Sequence, residues 1–308
     1  MPFDIQILLD LEQIRNPIFT KIFLLMTQFG EELILLPLMC LVYWCFNKRL
    51  ACFAALNFFS ALLVNHVLKI TFCVNRPWIR NTQLSPVPDA LDSATGFSFP
   101  SGHTANAVSI YGSVLLWFRK HIWIVILNGC FILLIAFSRL YLGVHTLQDV
   151  AVSLIAGFIL LFFNQWIFKR IEKNPERDRL YLGLIFALAV LCALYTILKP
   201  YPDGTQDALK ADGMKTLGAM VGTVCGVYWD FRKIRFSKSE KPWINMVRFI
   251  IGLAVLLFLK PMLKSPLNQY FGLLLGSFIR YFILLFWIFG LYPFLFTLLN
   301  PARRNLNE

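Results

Sequence analysis

Charged residues are scarce in this chain. Asp, Glu, Lys and Arg make up 15% of its 308 residues, whereas about a quarter of the residues in a soluble domain are charged. Apolar residues make up 58%, and apolar runs long enough to cross a bilayer recur throughout. Helices satisfy their own backbone hydrogen bonds and can therefore span a membrane. The sequence excludes an ordinary soluble domain and predicts an all-α fold, a polytopic membrane helical bundle.

Several common motifs are also absent. The seven cysteines form no CxxC pair, which favours packing roles over disulfides or metal binding. The sequence contains neither a GxxxxGK[ST] nucleotide loop nor a cluster of carboxylates for two metal ions. It also lacks a soluble basic domain that could bind nucleic acid. We therefore expect no metal, no cofactor and no nucleic-acid partner.

Ten apolar runs predict ten membrane crossings. They cover approximately residues 17–29, 32–46, 51–72, 102–118, 122–140, 146–168, 180–198, 214–230, 243–259 and 281–299. Clusters of Lys and Arg follow alternate runs and so fall on one face, which the positive-inside rule makes cytoplasmic. Both termini would then be cytoplasmic and the loop at 73–99 extracytoplasmic, in a multi-pass protein of the cell (inner) membrane. The first sixteen residues do not resemble a secretory signal and instead predict an amphipathic helix at the interface.

Two segments on the predicted outer face carry cations and a candidate proton donor. Lys69 and Arg76 lie where the third run leaves the membrane. Ser101, Gly102 and His103 immediately precede or open a helix, whose free N–H groups and partial positive charge bind anions. His103 can protonate a leaving oxygen, because histidine titrates near working pH. Each segment also has an ordinary structural explanation, a snorkelling lysine or a helix cap.

A third segment, Ser138 to Asp149, adds an arginine, a histidine and an aspartate. His145 and Asp149 are four residues apart, so on a helix they share one face and can hydrogen-bond. A neutral His145 could attack phosphorus, while Arg139 presents a planar cationic fork to phosphate oxygens. The three segments together predict phosphoryl transfer in which cations, and no metal, balance the transition state.

The patterns Lys-x6-Arg-Pro, Pro-Ser-Gly-His and Ser-Arg-x5-His-x3-Asp occur in this order. They resemble the three-part signature of the type 2 phosphatidic acid phosphatase superfamily, which is related to bacterial acid phosphatases and vanadium haloperoxidases. The similarity covers approximately residues 15–170. It implies that His103 is the general acid and His145 the nucleophile, oriented by Asp149. It also implies that phosphate is bound by Lys69, Arg76, Ser101, Gly102 and Arg139.

We therefore expect residues 1–170 to form a membrane-embedded, six-helix phosphatase core with an N-terminal interfacial helix. Residues 180–308 would add about four transmembrane helices of unknown role, for which packing or dimerisation is the simplest interpretation. The predicted function is a metal-independent integral-membrane lipid phosphatase that acts on the extracytoplasmic face through a phosphohistidine. Its substrate would be a lipid phosphomonoester or diphosphate: undecaprenyl diphosphate, phosphatidylglycerol phosphate or phosphatidic acid. The bilayer is the expected partner, and the sequence also allows a homo-oligomer.

Three alternatives remain at this point. A phosphohistidine could pass its phosphoryl group to an acceptor other than water, which would make the protein a phosphotransferase. A lipid-phosphate transporter or scramblase would use the extra helices, although it needs no nucleophile. A haloperoxidase conflicts with burial of the whole chain in the membrane. Outside the three segments, Glu31 and Glu32 are interpreted as solvated loop carboxylates, and the glycines from Gly213 to Gly226 as a helix-packing signal.

Overall fold

The computed structural model describes residues 3–174, 178–202 and 204–298, and helices are the regular structure throughout these ranges. In chain order they are α1 (Phe3–Gln13), α2 (Pro17–Gln28), α3 (Glu32–Leu41), α4 (Lys48–Phe72), α5 (Pro77–Arg80), α6 (Gly102–Trp117), α7 (Ile122–Tyr141), α8 (Leu147–Lys173), α9 (Asp178–Leu198), α10 (Gln206–Trp229), α11 (Pro242–Met262), α12 (Lys264–Phe286) and α13 (Tyr292–Leu298). Three π-helical turns extend α3, α10 and α12: Val42–Phe46, Asp230–Ile234 and Trp287–Leu291. The all-α membrane fold class is confirmed.

The chain divides into two compact units. The first unit comprises residues 1–36 and 56–169, and the second comprises residues 37–55 and 170–308. All the predicted site residues belong to the first unit. The division into a phosphatase core at residues 1–170 and a helical extension at residues 180–308 remains a prediction.

The sequence predicts ten membrane crossings, but fewer of the described helices could span a membrane. Within the described ranges, five helices are long and apolar enough, and the α2–α3 pair makes a sixth if it is one bent span. The two members of that pair meet at 50°, so the first two predicted crossings are corrected to one bent element. Helix α6 has 16 residues, about 24 Å at 1.5 Å per residue, which is short for a hydrocarbon core about 30 Å thick.

Helix α6 is the centre of the first unit, and its residues from Thr104 to Ser113 are all buried. Close approach helps to bury it, since a Cβ on Gly157 of α8 would lie 2.9 Å from Val108. Polar side chains also join the helices. Asn57 of α4 donates to Ser113 Oγ at 3.0 Å and accepts from Asn164 of α8 at 3.0 Å. These contacts bring the end of α4, the start of α6 and the start of α8 to one end of the unit.

Helix α1 lies at this same end. Arg15 Nε donates to the carbonyl of Tyr141 at 2.9 Å, and Glu12 accepts a hydrogen bond from the Ser85 N–H at 3.1 Å. The prediction that the N-terminus lies on the face opposite the loop at 73–99 was therefore wrong. The bent α2–α3 pair accounts for this difference when it is counted as one span in place of two crossings. The predicted cytoplasmic C-terminus, with its two arginines, lies outside the described residues.

The second unit is held together by close backbone packing and one buried ion pair. Lys48 Nζ lies 2.5 Å from Asp230 Oδ2, and the Tyr43 hydroxyl donates to the same oxygen at 2.5 Å. Trp44 Nε1 donates to the Ile288 carbonyl at 2.9 Å. All of these side chains except Lys48 are buried almost completely. Such contacts anchor the segment 37–55 within the second unit.

Candidate active site

Five helix ends of the first unit converge on the predicted site residues. Lys69 is in the last turn of α4, Arg76 immediately precedes α5, Ser101 immediately precedes α6, Arg139 is in the last turn of α7, and Asp149 is in the first turn of α8. Helix termini carry unsatisfied backbone groups that water or ligands commonly satisfy. The convergence therefore brings cations and polar backbone to one place.

His145 lies in the turn before α8, and 2% of the residue is exposed. Its Nδ1 is 3.3 Å from Asp149 Oδ2, and its Nε2 is 3.0 Å from Arg76 Nη1. An arginine always donates, so the network assigns the proton to Nδ1 and the lone pair to Nε2. Burial, followed by the charge of Arg76, lowers the pKa of His145 well below its ordinary value. The imidazole is thus neutral and can act as a nucleophile.

Asp149 is held by two further donors. Its Oδ2 accepts from Ser98 Oγ at 2.5 Å and from the Thr146 N–H at 2.9 Å. A carboxylate fixed in this way orients the imidazole and stabilises positive charge that develops on it. Ser98 was not identified from the sequence, because it is separated from Asp149 by about fifty residues and belongs to no motif with it.

Arg76 is fixed by backbone carbonyls of two loops. Its Nε donates to Gly96 at 2.9 Å, its Nη2 to Thr95 at 2.7 Å, and its Nη1 to Val144 at 3.0 Å. Those bonds tie the loop before α6 to the turn that carries His145. Arg76 therefore helps to position His145 and places positive charge beside it.

Arg139 is completely buried and incompletely paired. Its Nη1 donates to Thr27 Oγ1 at 2.6 Å and contacts Ser93 Oγ at 3.3 Å. Its Nε and Nη2 find no hydrogen-bond partner among the described residues. Burying charged donors without partners is costly, and a bidentate oxyanion such as phosphate would satisfy both. This is the sharpest sign of an anion site in the first unit.

The start of α6 supplies the remaining predicted phosphate ligands. Ser101 is completely buried, and its Oγ accepts from Thr104 Oγ1 at 3.0 Å. At Gly102 the nearest atom to an added Cβ would be Asn65 Oδ1 at 3.9 Å, so the backbone here is accessible. Lys69 is partly buried and adds positive charge near both histidines of the site. All eight predicted site residues thus come from helix ends that converge at one end of the first unit.

One acidic residue was assigned wrongly from the sequence. Glu31, interpreted above as a solvated loop carboxylate, has its Oε1 3.7 Å from His103 Nε2. It lies in the turn between α2 and α3, and its side chain is 31% exposed. Its interaction with His103 lowers the pKa of the Glu31 carboxyl. A local pattern could not reveal this pairing, because the two residues are separated by 72 positions.

This arrangement can perform displacement at phosphorus. A neutral imidazole nitrogen faces Arg76, a carboxylate holds the other nitrogen of that ring, and a second histidine lies in the first turn of α6, where free N–H groups could bind an anion. Among the described residues, no three His, Cys, Asp or Glu side chains gather to form a metal site. Lys69, Arg76 and Arg139 would present positive charge to a phosphate in this arrangement.

Two family models match the sequence. One, described as PAP2 superfamily, matches residues 50–173. The other, described as PAP2 superfamily phosphatase, transmembrane extension, matches residues 214–304. Together the two models cover the helices that carry the site residues and most of the C-terminal helices.

Two named relatives and one solved structure are similar to parts of this chain. Undecaprenyl-diphosphatase of Bacillus subtilis (strain 168) is 29% identical over 154 residues, 48% of this chain and 75% of the relative. Phosphatidylglycerophosphatase B of the same strain is 28% identical over 176 residues, 53% of this chain and 82% of the relative. A crystal structure of a transmembrane PAP2-type phosphatidylglycerolphosphate phosphatase from Bacillus subtilis aligns at 26% identity with a TM-score of 0.45, covering 55% of this chain and 85% of that one.

Proposed function

This chain belongs to the PAP2 superfamily and is a membrane lipid phosphatase, and from this premise we propose that it hydrolyses a lipid phosphomonoester or diphosphate through a phosphohistidine. The observation that most directly supports this proposal is the pair of hydrogen bonds made by the ring nitrogens of His145. Asp149 accepts from one ring nitrogen, and the other nitrogen faces Arg76 at 3.0 Å. The unpartnered donors of Arg139 support an anion in the same site.

The proposed reaction has two displacement steps. In the first, the His145 Nε2 lone pair forms a bond to phosphorus while the bond to the leaving oxygen breaks, and His103 gives its proton to that oxygen. The lipid leaves as an alcohol from a monoester or as a lipid monophosphate from a diphosphate. In the second step, His103 takes a proton from water, whose oxygen attacks phosphorus and breaks the P–N bond. Inorganic phosphate and the original histidines result.

The named relatives suggest two substrates in particular. An undecaprenyl diphosphate and a phosphatidylglycerol phosphate present the same chemistry, a terminal phosphoryl group on a long-chain lipid, to a site beside the membrane. Phosphatidic acid shares that chemistry. We propose that the substrate belongs to this class, with the undecaprenyl and phosphatidylglycerol lipids as first candidates.

We further propose that the site faces the extracytoplasmic side. Arg119 and Lys120 follow the end of α6, and Lys169, Arg170 and Lys173 lie near the end of α8, so these cations are far along their helices from the site. The positive-inside rule favours a cytoplasmic location for such clusters. The N-terminal helix α1 would then be extracytoplasmic too, since it is bonded to the loop beside the site.

Phosphate release by purified protein in detergent, without divalent metal, tests the proposal. The panel contains undecaprenyl diphosphate, phosphatidylglycerol phosphate, phosphatidic acid and a soluble sugar phosphate. We expect His145→Ala and His103→Ala each to lower turnover by about a hundredfold or more, and His121→Ala, which changes an exposed histidine, to match the wild type. Rapid quenching of the wild type should trap an acid-labile phosphoryl group on the peptide that contains His145. Unchanged release by folded His145→Ala, with no trapped phosphoryl group, contradicts the mechanism.

A further inference from the structure

The turn between α2 and α3 is fixed over the start of α6. The carbonyl of Phe29 accepts from the Tyr111 hydroxyl at 3.0 Å, and the carbonyl of Gly30 accepts from Asn106 Nδ2 at 3.0 Å. An added Cβ on Gly30 would lie 3.1 Å from both Cβ and the carbonyl oxygen of His103. A methyl group at this position would require its neighbours to shift by a few tenths of an ångström. The turn is therefore closely packed on α6, and its next residue, Glu31, lies beside the histidine.

Glu31 and His103 face each other at a distance that favours charge interaction over a tight hydrogen bond. The two atoms, Glu31 Oε1 and His103 Nε2, are 3.7 Å apart. His103 Nε2 is buried and has no hydrogen-bond partner among the described residues. Its proton would therefore be free for a leaving oxygen, while a carboxylate close by stabilises the imidazolium.

Burial acts most strongly against protonation of His103, and the other charged groups around it act in the same sense. Arg139 of α7 and Lys69 of α4 are cations, and the neutral His145 precedes α8. A cation near an imidazole disfavours its protonation, whereas an anion favours it. Among the described residues, Glu31 supplies the negative charge that opposes these cations at His103. The interaction with His103 lowers the pKa of Glu31, so the carboxyl is ionised at neutral pH.

We propose that Glu31 is a positioning residue that favours protonation of His103 at Nε2, against burial and the nearby cations, and so prepares it for the leaving oxygen. The inference deepens the proposed function and rests on His103 being its general acid. Glu31 transfers no proton itself. When His103 gives its proton to the leaving oxygen, Glu31 stays ionised, and its charge then favours return of a proton from water to His103 in the second step.

The pH dependence of kcat/KM provides the first test, with phosphatidylglycerol phosphate as the probe. Glu31→Gln removes the charge and keeps the shape. We expect the high-pH limb, where His103 loses its proton, to move to lower pH by about one unit, and the low-pH limb to keep its position. Glu32→Gln is the matched control, because it removes the neighbouring negative charge from an exposed position; its profile should equal that of the wild type.

Leaving-group dependence provides the second test. An alkyl phosphate needs a proton on its leaving oxygen, whereas p-nitrophenyl phosphate releases a stable phenolate. We expect kcat of Glu31→Gln to fall by about tenfold or more on the lipid and much less on the aryl ester, as for loss of general-acid assistance. Glu31→Asp, which restores the charge on a shorter side chain, should recover part of the lipid activity and of the high-pH limb.

The outcomes separate the inference from the function on which it rests. Glu31→Gln could lower kcat equally on the lipid and on the aryl ester and leave the high-pH limb unmoved. That result would assign Glu31 a merely structural role and overturn the inference, even if His103→Ala were inactive. Full lipid activity in His103→Ala would instead overturn the assignment of the general acid itself. Thermal unfolding of each variant, compared with Glu32→Gln, shows whether a loss reflects folding.

Discussion

At the scale of single residues, we infer that Arg139 trades stability for function. A completely buried guanidinium with two unpartnered N–H donors costs folding free energy. Such a group persists where an interaction with a ligand compensates for it. Proteins commonly retain destabilising residues at sites of activity, and replacing them can raise stability while activity is lost.

We predict this behaviour for Arg139→Met, which keeps an unbranched side chain and removes the buried charge. The midpoint of thermal unfolding should rise by a few degrees, since removing unsatisfied buried donors is worth about 1–3 kcal/mol. Phosphatase activity should be lost. Differential scanning fluorimetry in detergent, with and without orthovanadate as an analogue of the pentacoordinate transition state, measures both effects.

Vanadate separates binding from folding in that experiment. It should raise the unfolding midpoint of the wild type, because a ligand that binds only the folded protein stabilises it by mass action. It should leave Arg139→Met unchanged. A variant that unfolds at lower temperature, or that vanadate still stabilises as much as the wild type, contradicts the role given to Arg139.

Single residues also show what the sequence could reveal about the site. The spacing of His145 and Asp149 predicted their hydrogen bond, because a separation of four residues at a helix start places both on one side. The contact of Glu31 with His103 has no such local cause. It depends on how the bend between α2 and α3 packs on α6, which is a tertiary property that no pattern within either segment encodes.

At the scale of elements, helices α10 and α12 of the second unit touch along their backbones. An added Cβ on Gly218 would lie 2.2 Å from the Phe278 carbonyl oxygen, and one on Gly222 would lie 2.4 Å from that of Phe282. The predicted helix-packing role of this glycine series agrees with these contacts. Small residues at regular spacing allow such approach, and in a membrane close packing replaces the hydrophobic effect as a driving force.

We predict that Gly222→Ala destabilises the second unit by about 1–3 kcal/mol, because the methyl group would meet backbone atoms that cannot rotate away. Gly183→Ala is the matched control, since an added Cβ there has no neighbour within 4 Å and alanine favours a helix. Unfolding midpoints of the two variants in the same detergent provide the comparison. Equal midpoints would mean that α10 and α12 do not pack through their backbones as described.

The extents of the elements were more predictable than their association. Apolar runs predicted helices at 51–72 and 122–140, and the structure has them at Lys48–Phe72 and Ile122–Tyr141. Hydrophobicity and helix-breaking residues are local properties, so the sequence contains them directly. The bend of 50° between α2 and α3 was missed, because two adjacent apolar runs look alike whether they cross the membrane twice or form one broken span.

At the scale of the whole molecule, the two units do not follow the order of the chain. Residues 37–55 belong to the second unit, where Lys48 pairs with Asp230 and Trp44 donates to the Ile288 carbonyl. The partners are separated by about two hundred residues along the sequence. Contacts over such separations are decided by packing, so the apolar pattern alone could not assign this segment.

The position of α1 has the widest consequence for topology. Asp4 Oδ2 lies 3.4 Å from Arg80 Nη1, and Arg15 bonds to the carbonyl of Tyr141. The first contact places α1 beside the segment that precedes α6, and the second places the residues after α1 beside the end of α7, at the same end as the site. The N-terminal segment and the site therefore lie at the same end of the first unit, and we expect them to face one aqueous compartment and the cations after α6 to face the other.

Cysteine labelling in intact cells tests this arrangement. Gln6→Cys in α1, Gln83→Cys in the loop and Lys120→Cys after α6 are all at exposed positions, and the unmodified chain gives the background from its own cysteines. We expect a membrane-impermeant maleimide to label the first two directly and the third only after permeabilisation. Labelling of position 6 only after permeabilisation, with position 83 labelled directly, would contradict the contacts of α1. Inversion of all three would leave those contacts intact and reverse the proposed orientation, because the positive-inside rule alone supplies the absolute direction.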